Sequence, residues 1–246
     1  MKKITNLFAL LLLSAALSVS FTACDDDNEP ENGGENQQEV NGENQQEINN
    51  TNDPAANDQK ASAEFTQEEL DKANTAKDAT YLTDDEKLVI FYMNLARLDG
   101  VKFTDAYLSD LKGSSKTYEK SLVEDLKKSK DKKMLIPNEN LCKASRAHVN
   151  DIGPKGLVQH NSSDGTGTFV RVAKYYNGGS MAENISFGYS DPLQIIRQLL
   201  IDEGNEKVGH RKNILGDAYT RVGVAIGEHS KYRNMCCQDF SDAAGD

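Results

Sequence analysis

Two short stretches decide the fold of this chain: Ala182-Glu183-Asn184-Ile185 and Gly209-His210-Arg211-Lys212-Asn213-Ile214-Leu215. A further histidine, His160, lies 23 residues before Glu183. The three polar residues lack the short ligand spacing of a local metal motif, so only the fold can bring them together. The sequence therefore predicts that His160, Glu183 and His210 converge on one cleft or one metal.

Two more acids lie between these stretches. Asp191-Pro192 is a strong helix start, and the predicted helix ends near Asp202, Glu203 and Gly204. An acid in the last turn lies at the negative end of the helix dipole, which is mildly unfavourable unless a cation or a histidine is close. Either acid could therefore lie near the site, and a solvated helix end is the alternative.

The rest of the domain alternates helix signals with a late hairpin. Thr83 followed by Glu86 predicts a capped helix start, and a second helix is expected from Asn138 or Glu139. On that second helix His148 falls on the apolar stripe, which indicates a hydrogen-bonded core histidine. Alternating apolar residues from Val222 onward predict two strands joined by a polar turn.

The N-terminus looks like an export and anchoring segment. Residues 1–23 have a basic start and an apolar run too short to span a membrane, which predicts a signal peptide. Phe21-Thr22-Ala23-Cys24 resembles a bacterial lipobox, in which Cys24 becomes lipidated; an ordinary secretory signal is the alternative. The Asp25-Asp26-Asp27 run resembles surface-export signals of some Gram-negative lipoproteins. We therefore expect an outer-membrane lipoprotein exposed at the cell surface.

Residues 24–80 are predicted to be a disordered acidic tether, with the folded domain at residues 81–246. The tether is rich in Asn, Gln and Glu, and such a composition buries too little apolar surface to offset chain entropy. Residues 25–63 hold eleven acids against one lysine, which accounts for most of the net charge of −11. The domain itself carries no basic stripe, so nucleic acid is not an expected partner.

Cysteine usage suggests one disulfide. Apart from Cys24 the chain has Cys142, Cys236 and Cys237, and an exported protein can form disulfides. One bridge from Cys142 to the adjacent pair is expected. We predict Cys236 as the partner, with Cys237 on the other strand face because side chains alternate along a strand.

Several segments in order resemble the motifs of the CAP superfamily, the cysteine-rich secretory, antigen 5 and pathogenesis-related group, also called the SCP domain. They are Asn94-Leu95-Ala96-Arg97, residues 141–152, Val158-Gln159-His160-Asn161, Ala182-Glu183-Asn184-Ile185-Ser186-Phe187-Gly188, residues 209–215 and residues 222–227. The resemblance implies an α/β fold, an α-β-α sandwich with a small antiparallel sheet between helices. It also implies a tetrad of His160, Glu183, His210 and a second acid, which falls on Asp202 with Glu203 as the competitor.

The resemblance also bounds the function. It implies a non-enzymatic binding module for a lipid, sterol or protein ligand, and the lipobox-like sequence predicts that Cys24 attaches this module to the membrane. Two histidines and two acids suit a divalent cation such as Zn²⁺, so His160, Glu183, Asp202 and His210 are the predicted metal ligands. The alternative is a hydrolase with His160 or His210 as base, for which Ser162, Ser163 and Ser186 are the nearby nucleophiles, none in a strained nucleophile turn.

Overall fold

The computed structural model describes residues 53–243 and residue 245. The predicted signal peptide, Cys24 and the first part of the predicted tether lie outside the described residues. Within the described part, the longest helices are too short or too polar to cross a membrane.

Helices precede most of the strands along the chain. The helices are α1 (Gln59–Glu64), α2 (Gln67–Ala73), α3 (Asp84–Leu98), α4 (Gly100–Tyr107), α5 (Thr117–Leu126), α6 (Glu139–Ile152), α7 (Thr168–Val172), α8 (Pro192–Ile201) and α9 (Gly209–Leu215), with a 3₁₀ turn at Ser109–Leu111. The strands are β1 (Ile136–Pro137), β2 (Met181–Phe187), β3 (Arg221–His229) and β4 (Arg233–Ser241). The sheet order is β1-β3-β4-β2, with β1 parallel to β3 and the other neighbours antiparallel.

The sheet lies between two helical layers, which confirms the predicted α-β-α sandwich. Helix α6 covers one face of β3 and β4, whereas α3, α8 and α9 pack on the opposite side. Glycine permits the close approach of α6, because a Cβ at Gly223 would overlap the backbone of Leu141 and one at Gly227 would overlap Val149. The side chains of β4 alternate between the layers, since Cys236 packs in the larger core cluster and Cys237 in the smaller one beside α6.

Local capping explains where three of the helices that flank the sheet begin. The predicted capping box of α3 is present, with Thr83 and Glu86 each accepting a hydrogen bond from the backbone of the other. The Asn138 side chain caps α6, and Asp191 caps α8 with Pro192 at its first position. These caps fix the ends of the helices that flank the sheet.

The tether prediction is wrong for residues 53–80. This segment forms α1 and α2, which pack against α4 and α3. Ala61, Phe65 and Leu70 are buried in the main core cluster, with Phe65 only 4% exposed. A few apolar residues at helical spacing are enough to dock the segment, although its average composition is polar.

The predicted Cys142–Cys236 disulfide is also wrong. Cys142, Cys236 and Cys237 are all buried free thiols. Cys237 packs beside α6, whereas Cys236 belongs to the same core cluster as Cys142 without being bonded to it. Burial raises the pKa of the Cys142 and Cys236 thiols to about 12.

Beyond the two-residue strand β1, side chains from α3 and α6 bind backbone groups at the outer edge of β3. Strand β1 pairs only with Arg221 and Val222. Farther along, the Ile226 amide donates to the buried Glu86 carboxylate over 2.8 Å, and Arg146 donates to the Ile226 carbonyl over 2.7 Å. Glu86 and Arg146 also form an ion pair, so two charged side chains occupy the backbone groups that a fifth strand would use.

Candidate functional site

The first half of the site is a histidine–glutamate pair. His160 lies in the loop between α6 and α7, and its Nδ1 lies 2.8 Å from Oε1 of Glu183 on β2. The His160 side chain is 30% exposed, whereas that of Glu183 is 2% exposed. The imidazole is therefore partly exposed to solvent, whereas the carboxylate that it contacts is buried.

Buried polar groups surround Glu183 on its other side. Arg171 of α7 forms an ion pair with Oε2 of Glu183, and the Cys237 thiol donates to the same oxygen over 3.3 Å. Burial opposes ionisation of this carboxyl, but the hydrogen bond to His160 and the charge of Arg171 together hold the pKa of Glu183 below its ordinary value. Glu183 is thus an acceptor held in a buried polar cluster.

The second half is a histidine–aspartate pair at the end of α8. Asp202 ends that helix in the left-handed conformation, with φ of 55°. Its Oδ1 lies 2.7 Å from Nδ1 of His210, and its Oδ2 accepts the His210 amide over 2.9 Å. Of the two acids left open by the sequence, the structure pairs Asp202 with His210, whereas Glu203 is exposed to solvent.

Strand β2 connects the two pairs. Glu183 holds His160, and the next residue, Asn184, donates from Nδ2 to the His210 carbonyl over 3.2 Å. Asn213 of α9 donates in turn to the Asn184 side chain over 2.8 Å. Consecutive side chains of a strand point to opposite faces, and β2 is at an edge of the described sheet, so the two histidine pairs flank that edge.

Each carboxylate engages Nδ1 of its histidine, which leaves Nε2 as the second ring nitrogen. A neutral imidazole that donates from Nδ1 carries a lone pair on Nε2, which can bind a metal or accept a proton. Carboxylates commonly hold metal-binding histidines in this way from behind. Glu183 and Asp202 are therefore oriented as hydrogen-bond partners of the histidines.

The four predicted ligands do not form a compact group of donor atoms. Among the described residues, Glu183, Cys237 and Asp239 are the ones whose ligand atoms lie within 4.8 Å of one another. Arg171 forms its ion pair within this trio, and a guanidinium there disfavours a second cation by charge repulsion. Buried Asp239 has a pKa well above its ordinary value, because of its burial and then the charge of Glu183.

The remaining histidines occupy structural positions. His148 is fully buried, with Nε2 lying 3.1 Å from the Gln159 carbonyl, as predicted for a core histidine. Burial lowers its pKa, which favours the neutral ring. His229 is also buried, and its Nε2 lies 3.1 Å from the Leu157 carbonyl.

The nearby serines form hydrogen bonds elsewhere. The Ser186 hydroxyl donates to Gln198 over 2.5 Å, and the Ser163 hydroxyl donates to Asp151 over 2.6 Å. Within the described part of the chain, neither hydroxyl hydrogen-bonds to His160 or His210. The arrangement of an activated serine nucleophile is therefore not formed by these two residues.

Sequence reasoning missed three residues of this site: Arg171, Asn184 and Asn213. The two asparagines lie inside the stretches that open the sequence analysis, so their position beside Glu183 and His210 was an available signal. Arg171 had no comparable signal, since it belongs to a five-residue helix of ordinary composition. Its role follows from its contacts alone.

One curated relative is the uncharacterized protein YkwD of Bacillus subtilis (strain 168), which is 27% identical over 165 residues. The match covers 65% of this chain and 62% of the relative, so the chain spans less than two thirds of that protein.

Two solved structures resemble parts of the chain. An extracellular protein containing an SCP domain from Bacillus anthracis str. Ames is 19% identical with a TM-score of 0.39, over 51% of this chain and 39% of that one. An outer surface protein of Borrelia burgdorferi is 16% identical with a TM-score of 0.39, over 58% and 94% of the respective chains.

The sequence profile of the family described as "CAP: Cysteine-rich secretory protein family" matches residues 92–240. This range includes α6, the whole of β2 and both histidine–acid pairs, and it covers more than half of the chain. The chain therefore belongs to the CAP, or cysteine-rich secretory protein, family.

Proposed function

We propose that this protein is a non-enzymatic extracellular binding module, in which His160 and His210 hold a divalent cation such as Zn²⁺. One observation carries the proposal: Nδ1 of each histidine is engaged by a buried carboxylate, at 2.8 Å for Glu183 and 2.7 Å for Asp202. This is the pairing that fixes the tautomer and orientation of metal-binding histidines.

The donor set fits zinc better than a hard cation. Neutral imidazole nitrogens are ordinary Zn²⁺ ligands, whereas Ca²⁺ and Mg²⁺ prefer oxygen. In this proposal Glu183 and Asp202 support the two histidines, a change from their predicted role as direct ligands. When bound, the cation would supply a Lewis-acidic centre to which a ligand or partner can bind.

A zinc titration of the purified protein tests this proposal. We expect zinc binding by calorimetry in the native protein, and its loss in the His160→Ala, His210→Ala double variant. His229→Gln serves as the control because His229 lies outside the site. Histidines must be neutral to bind metal, so affinity should be lower in acid than at neutral pH. Unchanged zinc binding in a folded double variant would contradict the assignment.

We further propose that Cys24 is lipidated and anchors the domain to the outer membrane, facing outward. The lipobox-like sequence before Cys24 and the acidic segment after it support this proposal. Changing Cys24 to Ser should move the protein from the membrane fraction to the soluble fraction. Recovery of the unaltered protein in the soluble fraction would contradict the anchor.

The ligand is proposed to be a lipid, a sterol or another protein at the cell surface, and hydrolysis is the weaker alternative. A histidine held by a carboxylate can also serve as a general base, so the geometry suits both functions. The engagement of Ser163 and Ser186 by other side chains favours binding. Peptide hydrolysis that disappears in the double histidine variant would instead support the alternative.

A further inference from the structure

Arg171 closes a ring of contacts around His160. Its Nη1 donates to the His160 carbonyl over 2.8 Å, and its Nη2 pairs with Oε2 of Glu183. The other oxygen of Glu183 lies 2.8 Å from Nδ1 of the same histidine. One guanidinium therefore holds both the backbone of the histidine and the side chain of its acidic partner.

The Arg171 guanidinium lies closer to Glu183 than to the second buried acid, Asp239. Asp239 is the direct cross-strand neighbour of Glu183, and its Oδ1 lies 4.0 Å from Nη2 of Arg171. Oδ2 of Asp239 instead accepts the Ser145 hydroxyl over 2.7 Å. Two buried carboxyls thus lie beside a single guanidinium, and the closer contact goes to the acid that binds His160. Without this cation, the buried Glu183 carboxylate would lose its nearest opposite charge.

We propose that Arg171 is a positioning residue of the histidine site. It holds the Glu183 carboxylate and the loop that carries His160 in place, so that the ring donates from Nδ1 and presents Nε2 with its lone pair. The consequence for zinc rests on the proposed function, whereas the effect on the His160 ring does not. Arg171 acts through Glu183 and the His160 backbone and is not itself a ligand.

A second buried arginine provides the matched control. The Arg97 side chain donates to the backbone carbonyls of Lys133, Ile214, Gly216 and Tyr219. Like Arg171 it is buried, but these hydrogen bonds fasten segments of backbone without a carboxylate. Replacing Arg97 by Lys therefore reports the cost of disturbing a buried arginine that contacts neither His160 nor Glu183.

The main experiment measures the ring tautomer of His160 by ¹⁵N NMR in the metal-free protein at neutral pH. We expect the Nδ1–H form in the native protein and a shift toward the Nε2–H form in Arg171→Met. The reason is that Glu183 and the loop of His160 are then no longer held in place by one guanidinium, so the ring loses its fixed acceptor at Nδ1. Arg171→Lys keeps a charge but cannot hold both partners, so we expect an intermediate result. Arg97→Lys should leave the tautomer unchanged.

Zinc affinity supplies the second measurement. Loss of a residue that orients a metal-binding histidine typically weakens binding by about 10–100-fold, and this is expected for Arg171→Met. In a Glu183→Gln background the same change should cost much less, because both residues act through one interaction. Full additivity of the two substitutions would contradict a role through Glu183.

The outcomes separate this inference from the metal proposal. An unchanged His160 tautomer in a folded Arg171→Lys or Arg171→Met protein overturns the positioning role. Absence of zinc binding in the native protein overturns the metal proposal, while the tautomer still decides the role of Arg171. If neither Arg171 variant folds, the Glu183→Gln variant is measured instead. An unchanged His160 tautomer in that variant would show that the Glu183 carboxylate does not determine the tautomer, and it would overturn the positioning role.

Discussion

At the scale of single residues, Asp202 combines a backbone role with a side-chain role. It ends α8 in the left-handed conformation, which short polar residues tolerate better than most others. Its carboxylate accepts the amide of His210 and holds the ring of the same residue. The unfavourable position of an acid at a helix end is thus offset by a histidine, as the sequence argument required.

Substitution of each neighbouring acid by its amide distinguishes the site residue. Asp202→Asn keeps a residue that tolerates the left-handed backbone but removes the charge, so we expect zinc affinity to fall about tenfold or more with the fold retained. Glu203→Gln, at an exposed position, should leave the affinity unchanged. Equal losses in the two variants would show that general negative charge, and not the His210 hydrogen bond, supports the metal.

His160, Glu183 and His210 could be singled out from the sequence because each has a chemically distinct side chain in a recognisable context. The structure brings them to one strand edge in two separate pairs. Arg171 could not be predicted, since its contacts depend on how α7 docks beside β2. The thiol pairing could not be predicted either, since Cys142 and Cys236 share one core cluster and are nevertheless free thiols.

At the scale of elements, α1 and α2 show how composition can mislead. The segment is polar on average, yet Ala61, Phe65 and Leu70 are buried. Lys102 of α4 also forms an ion pair with Glu69 of α2 at 2.7 Å, and its ammonium lies 5.5 Å from the centre of the Phe65 ring. Burial of a few apolar side chains per helix decides docking, and an average over the segment hides them.

Truncation of Phe65 tests whether this segment belongs to the folded domain. We expect Phe65→Ala to lower the free energy of unfolding by about 3–5 kcal/mol, the usual cost of deleting a buried aromatic ring. Glu64→Ala, on the exposed side of α1, should change it by less than about 0.5 kcal/mol. Urea unfolding measures both. A negligible effect of Phe65→Ala would indicate that the segment belongs to the tether and not to the folded domain.

At the scale of the whole molecule, the ordered set of motifs was sufficient to predict the sandwich. Helix starts at Thr83 and Asp191 and the late hairpin each followed local rules, and the structure has all three. Strand β1 was missed because two residues carry no periodicity. Its pairing with β3 depends on the long-range path of the chain after α5.

Buried thiols make the stability of the molecule sensitive to alkali. The pKa of Cys142 and that of Cys236 are raised to about 12, whereas an unfolded thiol has a pKa near roughly 8.5. As the pH rises above the pKa of the unfolded thiol, the unfolded chain loses thiol protons while the folded chain keeps them. Deprotonation therefore stabilises the unfolded state relative to the folded state. We expect the free energy of unfolding to fall by about 1 kcal/mol per thiol for each pH unit from roughly 8.5 to 12.

Urea unfolding at pH 8 and pH 9.5 measures this dependence. Cys236→Ala provides the control, because removal of one titrating thiol should reduce the slope with pH. The native thiols should also resist alkylation at pH 8 and react only after unfolding, since the thiolate is the reactive form. Rapid alkylation of Cys142 or Cys236 in the native protein would contradict the burial that causes the raised pKa values.

The ion pair of Glu86 and Arg146 at Ile226 also bears on self-association. An uncovered strand edge is a template on which a second copy of a protein can add by backbone hydrogen bonding, which starts aggregation. Here an amide and a carbonyl of β3 are already bound by charged side chains from α3 and α6. An incoming strand would have to displace a buried carboxylate from its partners. The two helices thereby protect this edge of the sheet from the addition of a strand at high local concentration.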